Sequence, residues 1–371
     1  MRIGIDARMY QKGLGIGRYI GELITHIEKL DTEDEYILFF KKDNWNMYHP
    51  RSKRFRKVLA DIPWYGWKEQ IFFPWIIWRE QVDLMHFPHF TVPFAYRAKF
   101  VVTIHDIIMQ KMPWSARRAA TTLHPFLYNI KYWIYTLSLK SAINRACAVL
   151  TVSDTTKNDL IATLHTHTDK ITVTYEGSPL PVANIREVQG IIKPFFLTVG
   201  SAYPHKNLDI LLYAWKHMCS KDRCQYHLVL CGQDDYFTKR FCSKIKEMGL
   251  EAYVHHKGTV SDEELAWLYQ NAVALIAPSL EEGFGLPAVE ALTYGTPVIA
   301  SRIAIFEEIL GDSALYFDPK NPEELIKHLE SDLLDPVFRD NHAMEGMARS
   351  KRYQWDTTAQ KTIDVYKKYC A

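Results

Sequence analysis

The sequence predicts an α/β protein made of two doubly wound domains that face each other across a cleft. Short β-branched or apolar runs alternate with amphipathic stretches along the chain, which is typical of parallel strands connected by helices. This series occurs once in each half, and a length of 371 residues corresponds to about two domains. Each domain is then large enough to bury its own core.

The predicted elements follow from these two periodicities. In the first half we expect strands at residues 2–6, 36–40, 84–86, 100–105, 148–152 and 171–173. In the second half we expect strands at residues 195–199, 227–231, 253–256, 273–277 and 297–300. Amphipathic spacing predicts helices at residues 19–29, 154–163, 207–218, 262–270 and 322–333.

The domain boundary is predicted in the segment 178–193, which has two prolines and no clear periodicity. We therefore expect an N-terminal domain at residues 1–185 and a C-terminal domain at residues 186–353. A last helix, at about residues 354–371, is expected to pack back on the first domain.

Charge and composition bound the class of protein. The net charge of +2 conceals an asymmetry, because residues 1–180 carry +7 and the remainder carries −5. Asp6 and Arg8 stand where a signal peptide needs apolar residues, which favours a cytoplasmic protein. Six cysteines without a C-x-x-C pair predict thiols rather than a disulfide framework. The aromatic stretches at residues 71–78 and 126–139 are too short or too polar to span a membrane.

Two features of the first half follow predicted strands. Gly15 and Gly17 belong to a glycine-rich turn that opens a helix, where backbone N–H groups can approach a phosphate or a sugar. The alternative is a tight turn without a ligand. His105 follows the strand at 100–104, where it can hydrogen-bond a substrate hydroxyl or transfer a proton, although a purely structural histidine is the competing interpretation. Asp106 can orient it or cap the next helix.

A metal site is not expected in the segment around His86 and His89. Asp83 and the two histidines are metal-ligating residue types, but Pro88 favours an extended chain and no fourth ligand is evident nearby.

Two features of the second half carry charge at predicted helix starts. Lys206 precedes a helix, where it suits the diphosphate of a nucleotide; the alternative is a solvated lysine at a helix end. The segment 278–298 combines Glu282 and Glu290, eight residues apart, with the glycine turn Gly283–Leu286 and with Pro287, which favours a first helical turn. Carboxylates accept paired hydrogen bonds from diols, so both can hold sugar hydroxyls. The alternatives are a loop charge and a dipole contact within the first turn.

These segments together resemble the retaining glycosyltransferases of family 4, which have the GT-B fold of two facing Rossmann-like domains. The E-x7-E pattern of that family is met by Glu282 and Glu290 within EEGFGLPAVEALTYGTPVIAS. The similarity continues through GIGRYI, DLMHFPHFTVP, VVTIHDI, AVLTVSDTTKNDLI, FFLTVGSAYPHKNLDILLYAW, GTVSDEELAWLYQNA and RYQWDTTA. Among its members, the chain is most similar to those that build bacterial surface polysaccharides from GDP-mannose.

The resemblance implies a role for each candidate residue. Gly15 and Gly17 line the cleft, His105 lies beside the transferred sugar, and Lys206 binds the diphosphate. Sugar hydroxyls are held by Glu282 with Gly283, Phe284, Gly285 and Leu286, and the ribose by Glu290. Residues near Gly232 and Gly258 surround the base. Ser201 and His205 stand where members commonly carry arginine. Arg18 or Arg302 then assists Lys206, or stabilisation of the leaving group is weaker.

The implied function is transfer of a hexose, most simply mannose from GDP-mannose, to a hydroxyl of a saccharide or lipid-linked saccharide in cell-surface polysaccharide biosynthesis. The anomeric configuration is kept, and neither a metal, a cofactor nor an enzyme nucleophile is expected. Domain closure would exclude water. The alternatives are a family 4 transferase that uses UDP-glucose or UDP-N-acetylglucosamine, and a sugar-nucleotide epimerase or glycogen-type synthase on the same fold.

The acceptor side has an unusual composition. Residues 107–153 contain no acid but include basic and aromatic residues, and residues 64–78 add four tryptophans. Such a surface suits an anionic membrane that presents a lipid-linked acceptor, on the inner face of the cytoplasmic membrane. The alternative is that the aromatic residues are core and the charges a solvated face. A nucleic-acid-binding module is disfavoured, because no binding motif is present and the second half is acidic.

Overall fold

A computed structural model describes residues 1–11, 15–31, 33–113, 125–179, 182, 184–219, 225–330 and 336–370. The chain divides into two units. The first comprises Met1–Gln110, Leu123–Gly177 and Gln354–Ala371, and the second comprises Lys111–Thr122 and Ser178–Tyr353.

The first unit contains a seven-stranded sheet in which every neighbouring pair is parallel. Its strands are β1 (Arg2–Asp6), β2 (Glu35–Phe40), β3 (Phe55–Leu59), β4 (Leu84–Phe87), β5 (Phe100–Ile104), β6 (Ala148–Thr151) and β7 (Ile171–Val173). Their spatial order is β3-β2-β1-β4-β5-β6-β7, so the direction of winding changes between β1 and β4. Ligands bind at such points, outside the carboxyl ends of the strands.

The helices of the first unit connect these parallel strands. They are α1 (Ile16–Leu30), α2 (Trp67–Arg79), α3 (Ile108–Lys111), α4 (Pro125–Arg145) and α5 (Asp154–Leu164). Phe73 and Ile77 of α2, Leu139 and Ile143 of α4, and Leu160 of α5 share one hydrophobic core. These three helices therefore cover the same face of the sheet.

The second unit repeats the plan with six parallel strands in the order β10-β9-β8-β11-β12-β13. They are β8 (Phe195–Val199), β9 (His227–Cys231), β10 (Val254–His256), β11 (Leu275–Ala277), β12 (Val298–Ser301) and β13 (Leu315–Phe317). The helices are α6 (Asp209–Cys219), α7 (Tyr236–Glu247), α8 (Asp262–Asn271), α9 (Leu286–Thr293), α10 (Ala304–Leu310), α11 (Pro322–Glu330) and α12 (Pro336–Ser350). Here the winding changes direction between β8 and β11, which is the point at which a ligand is expected.

The last helix, α13 (Trp355–Cys370), returns to the first unit. Asp356 accepts hydrogen bonds from His26 at 2.6 Å and from Lys29 at 2.9 Å on α1. Farther along α13, the Tyr366 hydroxyl lies 2.6 Å from Nδ1 of His86, whose Nε2 lies 2.8 Å from the hydroxyl of Thr103. His86 is fully buried, so it is a core histidine that attaches α13 to β4 and β5.

Burial of His86 makes the stability of the protein sensitive to mild acid. Burial lowers its pKa to about 3, with a smaller contribution from His105. Below the ordinary histidine value of about 6.5, the unfolded chain therefore takes up a proton that the folded protein does not. The free energy of unfolding is expected to fall by about 1 kcal/mol between pH 6 and pH 5 because of this residue.

Urea unfolding of the wild type and of His86→Gln at these two pH values measures that effect. The difference between the two proteins isolates His86, because every other titrating group is shared. Equal pH dependence in both proteins would contradict the expectation.

The structure contains several strands and helices that the sequence did not predict. Strand β3 (FRKVL) is polar because it lies at an edge of the first sheet. Strand β13 has only three residues and lies at an edge of the second sheet. The sequence did not predict helices α2 and α4, because apolar residues occur all around each helix and do not form a one-sided pattern. Helix α2 also contains Pro74. Helix α7 was not predicted either, although it is amphipathic with Phe241 and Ile245 buried, so the spacing of its apolar residues does indicate a helix. Helices α10 and α12 were also missed.

The described cysteines agree with the prediction of thiols except at one position, and Cys224 lies outside the described residues. Cys147, Cys231, Cys242 and Cys370 are free, whereas Cys219 is disulfide-bonded. The prediction is wrong for Cys219 because the absence of a C-x-x-C pair does not exclude a bond between cysteines with wider spacing.

Candidate active site

A pocket lies at the carboxyl ends of β8 and β11 in the second unit. Its lining comes from the strand ends, from the loop before α6, from the loop after β11 with the start of α9, and from one residue of α10. These residues are Thr198, Val199, Gly200, Ser201, Lys206, Leu208, Leu275, Ile276, Ala277, Pro278, Ser279, Glu282, Gly285, Pro287, Ala288 and Phe306. The pocket therefore lies where the winding of the sheet changes direction.

Lys206 and Glu282 meet in this pocket. Lys206 ends a short 3-10 turn (Pro204–Lys206), and its Nζ lies 2.5 Å from Oε1 of Glu282. The same oxygen accepts a hydrogen bond of 2.7 Å from the Ser279 hydroxyl. The backbone holds the two loops in register, since Leu280 N–H donates to the His205 carbonyl at 2.7 Å. Two residues that are 76 positions apart thus form one charged pair.

Glu282 is ionised in this environment. Burial by itself raises its pKa, but the charges of Lys206 and His205 and the bonds from Lys206 and Ser279 outweigh that effect and hold its pKa below the ordinary value. The pocket consequently contains a carboxylate and an ammonium group side by side. A carboxylate accepts hydrogen bonds from hydroxyls, and an ammonium group binds phosphate oxygens.

The glycine turn after Glu282 leads directly into α9. Gly285 caps the helix with φ of 91°, a left-handed conformation that glycine adopts without strain, and a Cβ atom there would lie 2.7 Å from Cε1 of Phe306. Pro287 stands in the first turn, as predicted. The N–H groups of a first helical turn have no acceptor within the helix, so this helix start suits an anion. The side chains of Phe284 and Leu286 are buried, and Phe284 packs edge-on against Tyr353.

Glu290 is placed differently from the prediction of a first-turn carboxylate. Helix α9 begins at Leu286, so Glu290 is its fifth residue and lies beyond the first turn, because Gly285 rather than a later residue is the cap. Glu290 is buried, and its Oε2 accepts a hydrogen bond of 2.7 Å from the Tyr269 hydroxyl of α8.

Three glycines bring the ends of neighbouring strands close together beside the pocket. The Gly232 N–H donates to the Gly258 carbonyl at 3.0 Å, and the Gly200 N–H donates to the Cys231 carbonyl at 2.8 Å. A Cβ atom on Gly232 would lie 2.1 Å from the Gly200 carbonyl oxygen. The segments near Gly232 and Gly258, which the resemblance assigns to the base, are therefore adjacent to the strand end that lines the pocket.

Among the described residues that line the pocket, Lys206 is the single lysine or arginine. Ser201 lines it as well, whereas Arg302 is more than half exposed and lies 3.5 Å from Glu307. Arg302 also lies over the Tyr316 ring. Arg302 is therefore already engaged outside the pocket lining.

In the first unit, the loop after β1 holds the two predicted glycines. Gly15 caps α1 with φ of 75°, and its carbonyl accepts from the N–H groups of Arg18 and Tyr19. A Cβ atom on Gly17 would lie 2.7 Å from Cβ of Gln11 and 2.9 Å from the Met9 carbonyl oxygen. Gly17 is thus required for the close return of the loop over the helix. Residues 12–14 of the predicted turn lie outside the described residues.

His105 lies just past the carboxyl end of β5, as predicted. Its Nδ1 is 3.2 Å from Oε1 of Glu176, and its Nε2 is 3.0 Å from the Pro88 carbonyl oxygen. Its ring meets that of Tyr19 edge-on, with centroids 4.6 Å apart. Asp106 accepts from the N–H of Ile108, so it caps α3, and Glu176 is the carboxylate beside the histidine.

Several neighbours of the candidate residues were not found by sequence reasoning. Glu176, Ser279 and Tyr269 carry no local motif, and only the packing of distant strands reveals them. Arg8 likewise stands in no recognisable motif. Its fully buried guanidinium lies 2.7 Å from both Asp6 and Glu69, and it attaches the end of β1 to α2.

Among the described residues, no group of three or more His, Cys, Asp or Glu side chains is arranged to hold a metal ion. Within the same residues, no helix has the length and apolarity needed to cross a membrane.

Two protein-family models match successive parts of the chain. The model described as Glycosyltransferase Family 4 matches residues 14–180, and the model described as Glycosyl transferases group 1 matches residues 182–351. Their junction falls within four residues of the division between the two units, after Gly177.

Curated relatives and solved structures agree with these models. O-antigen chain mannosyltransferase B of Escherichia coli is 29% identical, over 76% of this chain and 74% of that protein. O-antigen chain mannosyltransferase RfbU of Salmonella typhimurium is 28% identical, over 95% of this chain and 96% of that protein. Sucrose-phosphate synthase from Thermosynechococcus elongatus has the same fold, with a TM-score of 0.77 over 99% of this chain and 98% of that chain, at 18% identity.

Two parallel α/β sheets give the fold of the GT-B enzymes; the second sheet lies wholly within its matched region, and the first does so except for β1. The chain belongs to the family 4 glycosyltransferases.

Proposed function

We propose that the protein transfers mannose from GDP-mannose to a hydroxyl of a saccharide or lipid-linked saccharide, with retention of the anomeric configuration, in cell-surface polysaccharide biosynthesis. The Lys206–Glu282 pair at the carboxyl ends of β8 and β11 carries the proposal. It places a cation that can bind a diphosphate beside a carboxylate that can bind sugar hydroxyls, in one pocket. The curated mannosyltransferase relatives support mannose as the sugar.

The donor would lie along this pocket. Lys206 and the start of α9 attract the diphosphate, and Glu282 accepts hydrogen bonds from the sugar hydroxyls. Binding the donor requires Lys206 to exchange part of its bond with Glu282 for phosphate oxygens, which frees Glu282 for the sugar. We assign the ribose to Glu290, which follows the pocket-lining residues Pro287 and Ala288 in α9, and the base to the segments near Gly232 and Gly258.

The chemical step needs positive charge where the diphosphate leaves. An oxocarbenium-like sugar forms as the bond to the diphosphate breaks, and Lys206 with the N–H groups of α9 stabilises the charge on the leaving group. The departing phosphate oxygen takes the proton of the acceptor hydroxyl on the same face, which keeps the configuration. We propose that no metal is needed to stabilise the charge on the departing diphosphate, and that no enzyme nucleophile or cofactor takes part.

Slow hydrolysis of separately supplied donors tests the proposed function without an acceptor. GDP-mannose, UDP-glucose and UDP-N-acetylglucosamine are incubated with the protein, and release of sugar and nucleoside diphosphate is measured with and without EDTA. GDP-mannose is expected to be hydrolysed fastest, with no effect of EDTA, and to release α-mannose first by NMR. Preference for a UDP-sugar, epimerised product or dependence on metal would overturn the corresponding part of the proposal.

We propose further that the first unit binds an anionic membrane surface through α2 and α4. Helix α2 presents a stripe at helical spacing whose side chains are all more than half exposed, namely Trp67, Ile71, Trp75 and Trp78. Its opposite face buries Phe73 and Ile77. Helix α4 presents a second exposed apolar set, Leu127, Ile130, Trp133, Ile134 and Leu137. Exposed apolar groups of this size favour an interaction surface.

Helices α2 and α4 are linked through one exposed residue, Phe94. Both pack on the same side of the sheet, and the exposed Phe94 lies between them. Its N–H donates to Oε1 of Gln70 on α2 at 2.7 Å, and its carbonyl accepts from Arg145 at the end of α4. Trp114, Arg117 and Arg118 of the predicted basic and aromatic segment lie outside the described residues.

The charges on this face favour an anionic bilayer. Lys68, Arg79, Lys131 and Lys140 are exposed. Helix α4 contains no acid, and the one acid of α2, Glu69, is buried against Arg8. Each lysine or arginine near an anionic leaflet contributes about 1 kcal/mol, and interfacial tryptophans add apolar burial.

Vesicle flotation tests the membrane face. The wild type is expected to float at low salt with vesicles that contain phosphatidylglycerol and to float less with neutral vesicles or at high salt. Trp75→Glu with Trp133→Glu should weaken binding at least about tenfold, since burial of two indole rings contributes several kcal/mol. The matched control is Tyr213→Glu, an exposed aromatic residue on α6 of the second unit. Equal loss in the control, or no flotation of the wild type, would refute the proposed face.

A further inference from the structure

Ser279 lies at the start of the loop that carries Glu282, and its position is fixed by the second sheet. It comes two residues after β11, a strand with neighbours on both sides, β8 and β12. Only 3% of Ser279 is exposed. The N–H of the next residue, Leu280, donates to the His205 carbonyl at 2.7 Å, beside Lys206 in the chain. The backbone around Ser279 is therefore held against the turn that carries Lys206.

Two donors share one oxygen of Glu282. Nζ of Lys206 lies 2.5 Å from Oε1, and the Ser279 hydroxyl lies 2.7 Å from the same atom. An ionised carboxylate only accepts, so the hydroxyl of Ser279 donates its proton to Oε1. Within the described ranges, the structure gives no hydrogen bond to Oε2. Because Glu282 lines the pocket with 13% of its side chain exposed, Oε2 is the oxygen that is available to a ligand hydroxyl.

The two donors differ in what else they can bind. The Lys206 ammonium group has three N–H donors, and 22% of its side chain is exposed, so phosphate oxygens can attract it away from Oε1. The Ser279 hydroxyl is neutral and buried, and it has a single proton, so a phosphate attracts it much less. A bound diphosphate therefore weakens the bond from Lys206 and leaves the bond from Ser279 in place. After that exchange, Ser279 is the group that holds Oε1.

We propose that Ser279 is a positioning residue that holds Oε1 of Glu282 while Lys206 binds the diphosphate, so that Oε2 stays available to a hydroxyl of the transferred sugar. The role at the sugar rests on the proposed function, whereas the hold on the carboxylate does not. A neutral donor suits this place, because a second cation would compete with Lys206 for the diphosphate. Without the Ser279 hydroxyl, the carboxylate can rotate once Lys206 has turned to phosphate, and the sugar then meets a less ordered partner.

Carbon NMR of the Glu282 carboxyl group tests the hold of Ser279 without any substrate. The full-length protein is labelled with ¹³C-glutamate, and the Glu282 signal is assigned by its loss in Glu282→Gln. Burial raises the pKa of this carboxyl, but the groups that face it, Lys206 and His205 from the 3-10 turn and Ser279 from its own loop, keep it below the ordinary value. Ser279→Ala removes one donor to the ionised form and is expected to raise that pKa. An unchanged pKa in Ser279→Ala would overturn the proposal.

A double-mutant cycle separates positioning from a merely structural role. Ser279→Ala is expected to lower kcat/KM for GDP-mannose about 10-fold, since it removes one hydrogen bond to a charged group. In the Glu282→Ala background the same change should cost nothing further, because Ser279 acts through Glu282. Affinity for GDP, which lacks the sugar, should be unchanged by isothermal titration. The matched control is Ser243→Ala on α7, an exposed serine whose hydroxyl donates to the Lys239 carbonyl, and it should leave both measurements unchanged.

Two kinetic outcomes would contradict the positioning role of Ser279. One is an equal loss on Ser279→Ala with and without Glu282, and the other is a fall in GDP affinity as large as the fall in kcat/KM. If the wild type turns over none of the three sugar nucleotides, the proposed function fails, whereas the carboxyl titration still decides whether Ser279 holds Glu282.

Discussion

Lys206→Ala and Glu282→Ala are each expected to lower sugar transfer about 10²- to 10³-fold while the protein stays folded. Removal of one preorganised group that stabilises developing charge typically costs this much. Lys206 would act on the diphosphate, so its loss should reduce kcat strongly. Glu282 would act on the sugar hydroxyls, so its loss should affect both kcat and KM. Steady-state kinetics with GDP-mannose and an acceptor measure both effects.

Matched controls make these variants interpretable. Lys239→Ala and Glu247→Ala remove exposed charges of the same types from α7 in the same unit and should leave transfer unchanged. Circular dichroism and thermal unfolding verify that each variant is folded. Full turnover in Lys206→Ala and Glu282→Ala would remove the pocket from the proposed function.

Gly232→Ala is expected to destabilise the second unit by about 3 kcal/mol, because overpacking against atoms that cannot move has costs of this order. The new Cβ atom would lie 2.1 Å from the Gly200 carbonyl oxygen and 2.8 Å from the Gly200 carbonyl carbon. Both are backbone atoms of a residue that lines the pocket, so relief of the clash displaces that strand end. Donor affinity should therefore fall together with stability.

Gly249→Ala provides the comparison for this prediction. Gly249 has φ of 67° and nothing within 4 Å of a Cβ atom, so alanine there has only a conformational cost of about 1 kcal/mol. Urea unfolding of both variants and the wild type measures the difference, and isothermal titration with GDP measures binding. Equal unfolding free energies in the two variants would show that the clash at Gly232 is relieved without cost.

Much of the fold was predictable because its determinants are local. The runs RIGID, FFLTV and HLVLC became β1, β8 and β9 with the predicted bounds. The predicted helix at 262–270 became α8, with a capping box between Ser261 and Glu264. Strands β3 and β13 could not be predicted in the same way, because edge strands need less apolar surface than central ones.

The candidate site was predictable to a lesser extent. Lys206, Glu282 and Gly285 were identified because they stand in turns at helix starts, where residue type and backbone conformation are coupled. Glu176 could not be identified, because an isolated glutamate after a strand has no distinguishing pattern. Its contact with His105 joins residues 71 positions apart.

The sequence by itself determined which residues can bind phosphates and hydroxyls, and near which strand ends they occur, because turns and helix starts depend on neighbouring residues. Only the tertiary structure decided how these groups pair. Lys206 forms an ion pair with Glu282, the His105 ring contacts Glu176, and Glu290 accepts a hydrogen bond from Tyr269. Parallel strands from distant parts of the chain end at the same edge of a sheet, so the packing of the strands decides which charges meet.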